Sequence, residues 1–174
     1  MTASAPEAIT WWRDDPERFD AELAAMGEAA PQLKWFDEGL GGWHGEVPLW
    51  PFERPQPRGL ESLVGQRPLS VWVFCRPVHP MMAPIVRPLD VDVPLEAWGY
   101  NTWHLLSNGS LCLFRGTAWW DPARLVADLI PKVSGWYVEY HLMKRECLER
   151  MPDRGVDLDD ALDAVIDNCA TRVG

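Results

Sequence analysis

Leu69-Ser-Val-Trp-Val-Phe-Cys75 is the stretch of this 174-residue chain that decides the fold. Its β-branched and aromatic side chains, with no glycine or proline among them, predict a strand, and the continuous apolar character favours a strand buried on both faces. Two shorter apolar runs precede it, between residues 33 and 50, and are separated by a glycine cluster. Together the three runs predict an antiparallel meander of about three strands.

A helix is predicted upstream of the meander, over residues 16–29. Asp15-Pro16 combines an N-cap carboxylate with a proline at the first helical position. Apolar residues then recur at helical spacing: Phe19, Leu23, Met26 and Ala30. Pro31 ends the element.

Downstream of the strand, residues 76–101 contain prolines too closely spaced for regular structure, so we expect an irregular crossing with one short strand at 84–87. Asp121-Pro122 repeats the helix-start pattern, Pro131 interrupts that helix, and a second helical stretch runs through Cys147 to Leu148. A last helix is predicted from about 157 to 171. This order indicates one α+β domain over residues 1–174, with a core at about 15–150.

Composition excludes several classes of function. The net charge of −10 argues against binding nucleic acid, no run approaches a membrane span, and the N-terminus lacks the pattern of a signal peptide. We therefore expect a cytoplasmic protein without a membrane or nucleic-acid partner. Its four cysteines are then expected to be free thiols, and two of them, Cys147 and Cys169, are interpreted as small core residues in helices.

The candidate chemistry lies in the stretch Asn101-Thr-Trp-His-Leu-Leu-Ser-Asn-Gly-Ser-Leu-Cys-Leu-Phe114. Cys112 follows a Ser-Asn-Gly turn and stands in an otherwise apolar run. A Trp-Trp-Asp-Pro segment comes after it. Taken alone, a cysteine between two leucines is more often a packing residue than a reactive one, because a reactive thiol needs exposure and a setting that favours the thiolate.

Three motifs, in order along the chain, resemble those of the ubiquitin-conjugating enzymes from the first helix through about residue 136. Residues 78–84, VHPMMAP, stand where that family has Tyr-Pro-x-x-Pro-Pro. Residues 108–113, NGSLCL, correspond to its active-site Asn-Gly-x-Ile-Cys-Leu. Trp120-Asp121-Pro122 takes the place of the Trp-Ser-Pro that begins the family's next helix.

The resemblance implies a fold and a function. The fold is an N-terminal helix, a four-stranded antiparallel meander, an irregular active-site crossing and C-terminal helices. Cys112 would carry the C-terminus of a ubiquitin-like or other tailed protein as a thioester and pass it to a lysine of a target protein. No cofactor or metal is expected. No phosphate-binding glycine loop is visible, so a separate activating enzyme would use the ATP and would dock on helix 16–29.

One departure from the family pattern concerns its His-Pro-Asn signature, which is missing. Thr102-Trp103-His104 occupies that place, and His104 precedes Cys112 by eight residues, in the register of the Asn. By the resemblance, His104 would donate to the oxyanion or accept the proton of the attacking amine. The alternative is a half-buried ring near Trp103. Such departures resemble bacterial members of the family from ubiquitin-like conjugation and antiviral defence systems.

Other interpretations of the same residues stay open at this point. The chain could be an inactive relative that keeps the fold as a binding module. Cys75 with His79, or Cys112 with His141, could form a thiol-protease pair, although no known local signature surrounds either pair. A carrier thiol must be reached by two proteins in turn. We therefore expect Cys112 to be partly accessible, in a shallow groove beside His104 and the segment 119–122.

Overall fold

The computed structural model describes residues 10–65, 67–99, 102–114 and 120–171. Its regular elements, in chain order, are helices α1 (Trp11–Asp14) and α2 (Pro16–Ala29), strands β1 (Leu33–Phe36) and β2 (Gly42–Glu46), helix α3 (Leu60–Val64), strands β3 (Ser70–Phe74) and β4 (Ile85–Pro88), two 3-10 helices (Leu95–Ala97 and Val126–Leu129), and helices α4 (Ile130–Lys144) and α5 (Asp163–Thr171).

The four strands form one antiparallel meander in the order β1-β2-β3-β4. Register places Trp43 opposite both Trp35 and Val73, and Val73 opposite Val86. This row of side chains lies on the inner face of the sheet, where Trp43 and Val73 are each only 1% exposed. The α+β class, the N-terminal helix, the meander and the C-terminal helices are therefore as the sequence predicts, including the short fourth strand.

The outer face of the sheet corrects the expectation that β3 is buried on both faces. Burial alternates along β3, and Trp72 and Phe74 lie on the half-exposed side. Their rings stack on each other at 5.6 Å, and Phe36 packs edge-on against Trp72 at 4.9 Å. The prediction was wrong because a continuous apolar run does not distinguish a buried strand from one that packs aromatic rings together on an open face.

Helix α2 has the predicted bounds, and the Asp15 side chain accepts a hydrogen bond from the backbone N–H of Arg18 at 3.0 Å. Its buried face carries a carboxylate, Glu22, which is completely buried. Glu22 Oε1 accepts hydrogen bonds from Arg18 Nε at 2.9 Å and from His79 Nε2, which lies at 3.0 Å. Glu22 Oε2 accepts from the backbone N–H of Val126 at 2.7 Å. One carboxylate thus joins α2 to the irregular crossing and to the segment before α4.

The helix predicted from Asp121-Pro122 is a turn, which the Asp121 side chain stabilises by accepting from the backbone N–H of Ala123 at 2.9 Å. Regular α-helix begins at Ile130. Pro131 therefore lies in the first turn of α4 and does not interrupt a longer helix. The physical reason is that proline removes a donor and clashes with the preceding turn inside a helix, but costs neither at a helix start.

Two helix ends also differ from expectation. Helix α4 ends at Lys144, so Cys147 and Leu148 lie beyond it, and α5 begins at Asp163 rather than near Asp157. Residues 155–158 instead form a turn in which the N–H of Leu158 donates to the Gly155 carbonyl at 3.0 Å. The helical spacing of apolar residues there was not enough to predict helix.

The expectation of four free thiols is wrong for two of them. Cys147 and Cys169 form a disulfide, with their Cα atoms 6.0 Å apart. Because α4 ends before Cys147, the chain turns back there and presents this residue to α5. Such a pairing depends on where two elements meet in space, and the spacing of the cysteines along the sequence does not contain that information. Cys75 and Cys112 are free.

The buried carboxylate of Glu22 is expected to be a major source of stability. Glu22→Ala leaves the Arg18 guanidinium, the His79 ring and the Val126 N–H without their acceptor, and should lower the free energy of unfolding by about 3–5 kcal/mol. Chemical denaturation of the variant and the parent measures this. Glu28→Ala, at an exposed position of the same helix, is the control and should change the value by less than about 0.5 kcal/mol. Equal effects of the two substitutions would contradict the role of Glu22.

The environment of His141, on α4, predicts that the folded protein becomes less stable in weak acid. Its ring packs against Tyr137 at 4.6 Å and Tyr140 at 5.2 Å. Burial, reinforced by the charge of Arg145, lowers the pKa of His141 from 6.5 to about 4. The unfolded chain therefore takes up a proton below pH ~6.5, whereas the folded chain does so only near pH 4. Stability from the neutral ring is complete above pH ~6.5 and is lost as the pH falls toward 4.

When the pH is lowered from 7.5 to 5, the His141 ring should reduce the free energy of unfolding by about 2 kcal/mol. Denaturation curves at the two pH values measure the difference. His141→Gln should remove most of it, and His44→Gln, at an exposed position on β2, should leave it. An unchanged pH dependence in His141→Gln would contradict the assignment.

Candidate active site

Cys112 is held opposite His104 by a short antiparallel hairpin. Leu105 and Leu111 form its β-bridge, and the N–H of Leu106 donates to the Ser110 carbonyl at 2.8 Å. On the other side of the bridge, the N–H of Cys112 donates to the His104 carbonyl, also at 2.8 Å. The two residues that the sequence singles out are therefore direct neighbours across the hairpin.

The turn of the hairpin is the predicted Ser-Asn-Gly turn. The Asn108 side chain accepts from both the N–H of Ser110, at 3.0 Å, and its hydroxyl, at 2.7 Å. Gly109 has φ +78°, and a Cβ there would approach the Trp98 ring to 2.7 Å. The position therefore requires glycine both for its left-handed backbone and for the close ring.

The hairpin is fastened to the edge of the sheet. The N–H of Leu111 donates to the Val86 carbonyl of β4 at 2.8 Å, and the Arg87 guanidinium donates to the Asn108 carbonyl at 2.7 Å. Leu111 is buried, and the next residue, Cys112, is partly exposed. The sheet thus fixes the backbone of the thiol while leaving its side chain accessible. The Cys112 thiol lies 3.5 Å from the carbonyl oxygen of Phe114.

Two depressions flank Cys112, which is among the lining residues of both. The first, which we call the polar depression, has a volume of about 240 Å³ and is lined by Cys112, Leu113, Lys132, Trp136, Glu139, Asp153, Asp157 and Leu158. The second, the apolar depression, has about 260 Å³ and lies mainly between the hairpin and the irregular crossing, with Ala83, Pro84, Ile85, Leu106 and Leu111 among its lining residues. A group attached to Cys112 can therefore be approached from two sides.

One wall of the polar depression is a face of α4. Lys132, Trp136 and Glu139 stand four and then three residues apart, which puts all three on one face of the helix. The indole N–H of Trp136 donates to the Trp103 carbonyl at 2.8 Å. This bond joins α4 to the residue that precedes His104. The distance between α4 and the hairpin is therefore set by a large side chain that is held in place.

The opposite wall is the segment 153–158. Lys132 Nζ pairs with Asp157 Oδ2 at 3.3 Å, and the backbone N–H of Val156 donates to Glu139 Oε1 at 3.0 Å. A Cβ on Gly155 would collide with the Glu139 carboxylate, so glycine is needed where the segment approaches α4. Glu139 is 2% exposed although it borders the depression. Three carboxylates and one amine therefore line the depression to which the partly exposed Cys112 also contributes.

His104 is more buried than either interpretation of the sequence expected. Its side chain is 5% exposed, and its backbone has φ +47°, a left-handed conformation that is uncommon for a residue other than glycine. It does not appear among the described residues that line the two depressions. His104 is therefore beside Cys112 through the backbone, and its catalytic role stays a prediction.

The expected accessibility of Cys112 is confirmed, and its expected surroundings are in part wrong. Trp119 lies outside the described residues. Trp120 packs near Phe114, at 6.3 Å, and its indole N–H donates to the Pro80 carbonyl at 2.6 Å. Residues 120–122 are not among the described residues lining either depression. The Trp-Asp-Pro segment instead fastens the irregular crossing.

Sequence reasoning missed the residues of the polar depression. One signal was present: Glu139 is flanked by the apolar and aromatic residues 136–138 and by Tyr140, and a carboxylate in such a position is usually buried and bonded. Lys132 and Asp157 gave no such signal, because both look like ordinary surface charges. They meet Cys112 only through the packing of α4 and the segment 153–158 against the hairpin.

Cys75, the other candidate for a reactive thiol, is not accessible to a substrate. Cys75 is completely buried, and burial together with the Glu22 charge raises the pKa of its thiol far above the usual range. The ring of His79 bonds to Glu22. The ring of His141 packs against two tyrosines and is not among the described residues that line the depressions around Cys112. Neither pairing has the arrangement of a thiol-protease pair.

In the part of the chain that the structure describes, no helix is long and apolar enough to cross a membrane. The same residues include no group of three or more His, Cys, Asp or Glu side chains that could hold a metal ion. The chain matches no protein-family model, no curated protein and no solved structure. The resemblance to ubiquitin-conjugating enzymes is therefore carried by the three motifs alone.

The disulfide is expected to control access to Cys112. It closes a loop with a sequence separation of 22, which contains the wall at 153–158. In Cys147→Ser/Cys169→Ser the free energy of unfolding should fall by about 3 kcal/mol, the amount expected for a loop of this length. The wall should then open more often, so that iodoacetamide alkylates Cys112 several times faster than in the parent.

Peptide mass spectrometry of the native protein measures this rate, with buried Cys75 as the internal control. Cys75 should stay protected in both proteins while they remain folded. A Cys112 alkylation rate that is unchanged when the disulfide is absent would contradict the proposed control of access.

Proposed function

We propose that this chain is a ubiquitin-conjugating-like transferase in which Cys112 accepts the C-terminal carboxyl group of a ubiquitin-like or other tailed protein as a thioester. The acyl group then passes to a lysine of a target protein. The single observation that carries the proposal is the position of Cys112: a free, partly exposed thiol, held by a fixed hairpin between two depressions. Cysteine suits such a carrier because it is both a good nucleophile and a good leaving group.

The order of the elements supports the proposal. A helix, a four-stranded antiparallel meander, an irregular crossing and C-terminal helices follow one another along the chain. This is the order that the resemblance implies. Residues 78–84 of the crossing, which correspond to the family's proline-rich motif, contribute Ala83 and Pro84 to the apolar depression beside Cys112.

The two depressions offer separate binding places for the two reactants, the modifier's tail and the target amine, on either side of Cys112. The apolar depression is suited to an extended C-terminal tail, because its lining is mostly aliphatic. The polar depression is suited to the incoming amine, because its carboxylates attract an ammonium group and can accept its proton. Under this proposal the acyl group lies between them on Cys112 Sγ.

His104 is assigned a role in the transfer step. Its backbone carbonyl already positions the Cys112 N–H. Under the proposal, local opening at His104 exposes its ring, which then donates a hydrogen bond to the acyl oxygen in the role that the resemblance gives the family's Asn. Partners implied by the proposal are an activating enzyme that docks on α2, the modifier and the target lysine. The bacterial defence setting and the cytoplasmic location belong to the same proposal, and the Cys147–Cys169 disulfide, which is uncommon in that compartment, counts against the location.

The second candidate function is a catalytically inactive relative that binds a partner through the same fold. The burial of His104 favours it, since a ring that is 5% exposed cannot reach a bound substrate without local opening. The exposure of the Cys112 thiol opposes it. The two candidates differ in one respect that can be measured, which is whether Cys112 forms a thioester.

With its activating enzyme, ATP and modifier, the parent protein should form an adduct that a thiol reductant cleaves. Cys112→Ser should replace it with a reductant-resistant ester, formed more slowly because the hydroxyl is the weaker nucleophile at neutral pH. Non-reducing and reducing electrophoresis of the same reaction measures both. Cys75→Ser is the matched control, and its adduct should match the parent's while it stays folded.

Folding is checked separately, because a substitution at a buried position can itself cost ~1–3 kcal/mol. A folded Cys112→Ala variant that still carries the modifier through a reducible bond would overturn the proposal. A folded parent that forms no adduct, yet binds the modifier, would favour the inactive binding module.

A further inference from the structure

The chain contains only three lysines, Lys34, Lys132 and Lys144, and one of them shares the polar depression with Cys112. We infer that Lys132 is an internal acyl acceptor, which takes an acyl group from a thioester on Cys112 and keeps it as a stable amide. The inference concerns the chemistry of these two residues with any acyl group, and only its extension to a protein modifier rests on the proposed function.

Helix geometry places Lys132 on the wall of the depression that Cys112 also lines. Lys132 precedes Trp136 by four residues, so both lie on the face of α4 that borders the depression. The indole N–H of Trp136 is bonded to the Trp103 carbonyl, which keeps this face against the hairpin. The flexible four-carbon stem of Lys132 lets its amine sample the depression, which has a volume of about 240 Å³.

Asp157 both holds the amine and can take its proton. Asp157 Oδ2 lies 3.3 Å from Lys132 Nζ. The Asp157 side chain is only 15% exposed and the Lys132 side chain only 29%. An ammonium cannot attack a thioester until it loses a proton, and a carboxylate within this distance is a suitable acceptor. The carboxylates of Glu139 and Asp153 line the same depression and keep the amine there by their charge.

The step balances without any co-reactant. Lys132 Nζ loses one proton to Asp157, and its lone pair then attacks the thioester carbonyl carbon. The bond from that carbon to Cys112 Sγ breaks, and the electron pair leaves with the sulfur. The second proton of the nitrogen passes to the thiolate, which restores the Cys112 thiol, and Asp157 returns its proton to water. Nothing is oxidised or reduced.

Proximity is what makes this transfer fast. Two groups that line one small depression react as an intramolecular pair, which raises the effective concentration of the amine far above that of a lysine in solution. Lys144 provides the matched comparison: it also pairs with an aspartate, Asp92, at 2.8 Å. It lies twelve residues after Lys132 on α4, about 18 Å further along the helix axis, and is not among the described residues that line the polar depression.

The test uses the folded, full chain and a small acyl donor, the thiophenol thioester of acetic acid, so that no activating enzyme is needed. Exchange with the donor places acetyl on Cys112, and peptide mass spectrometry follows acetyl on each lysine with time. Acetylation of Lys132 should exceed that of Lys34 and Lys144 by at least tenfold, and Cys112→Ala should bring it down to their level.

Two variants separate the transfer from a generally reactive lysine. In Lys132→Arg the acetyl group should remain on Cys112, where hydroxylamine removes it. In Asp157→Asn it should also accumulate on Cys112 and move to Lys132 more slowly. Lys132 acetylation that is no greater than that of Lys144, or that survives Cys112→Ala, would overturn the inference, as would a Cys112 that takes up no acetyl. Failure of the activating enzyme to load Cys112 bears on the proposed function only.

Discussion

The carboxylate of Glu22 is the interaction on which the arrangement of the site depends. It is completely buried, and it is bonded to Arg18 on its own helix, to His79 of the irregular crossing and to the N–H of Val126 before α4. A buried charge is tolerated only when its bonds are complete, so these segments must come together in one way. The contacts of Glu22 therefore fix how α2, the irregular crossing and the segment before α4 are arranged relative to one another.

That geometry determines what surrounds Cys112. The crossing fixed through His79 supplies Ala83 and Pro84 to the apolar depression, and the segment fixed through Val126 leads into α4, which supplies Lys132 to the polar one. The hairpin is attached separately, through Leu111, to β4. The thiol thus lies where the hairpin, bonded to β4 through Leu111, meets α4, whose Trp136 is bonded to the Trp103 carbonyl next to His104.

Local chemistry decided which features could be predicted from the sequence. Helix α2, the meander and the turn before Cys112 were predictable because the Asp15 cap, the β-branched and aromatic runs and Gly109 favour these elements locally. The turn at Asp121-Pro122 and the Cys147–Cys169 disulfide were not. The Pro122 carbonyl accepts from the distant Arg18, Trp120 donates to the distant Pro80 carbonyl, and the two cysteines meet only in the folded chain. For the site, Cys112 was found by its motif, whereas Lys132 and Asp157 become neighbours of the thiol only through tertiary packing.

The scarcity of lysine limits how many amines of the chain could compete for an acyl group on Cys112. Of the 16 basic residues three are lysines, so thirteen are arginines, and a guanidinium stays charged and does not compete for an acyl group at neutral pH. Under the proposed function, the protein would therefore expose few amines of its own to the thioester. The lysine that shares the polar depression with Cys112 is paired with Asp157, and under the same proposal this pair would set whether the acyl group leaves for a target or stays with the carrier. The same depression would thus serve transfer to another protein and its internal competitor.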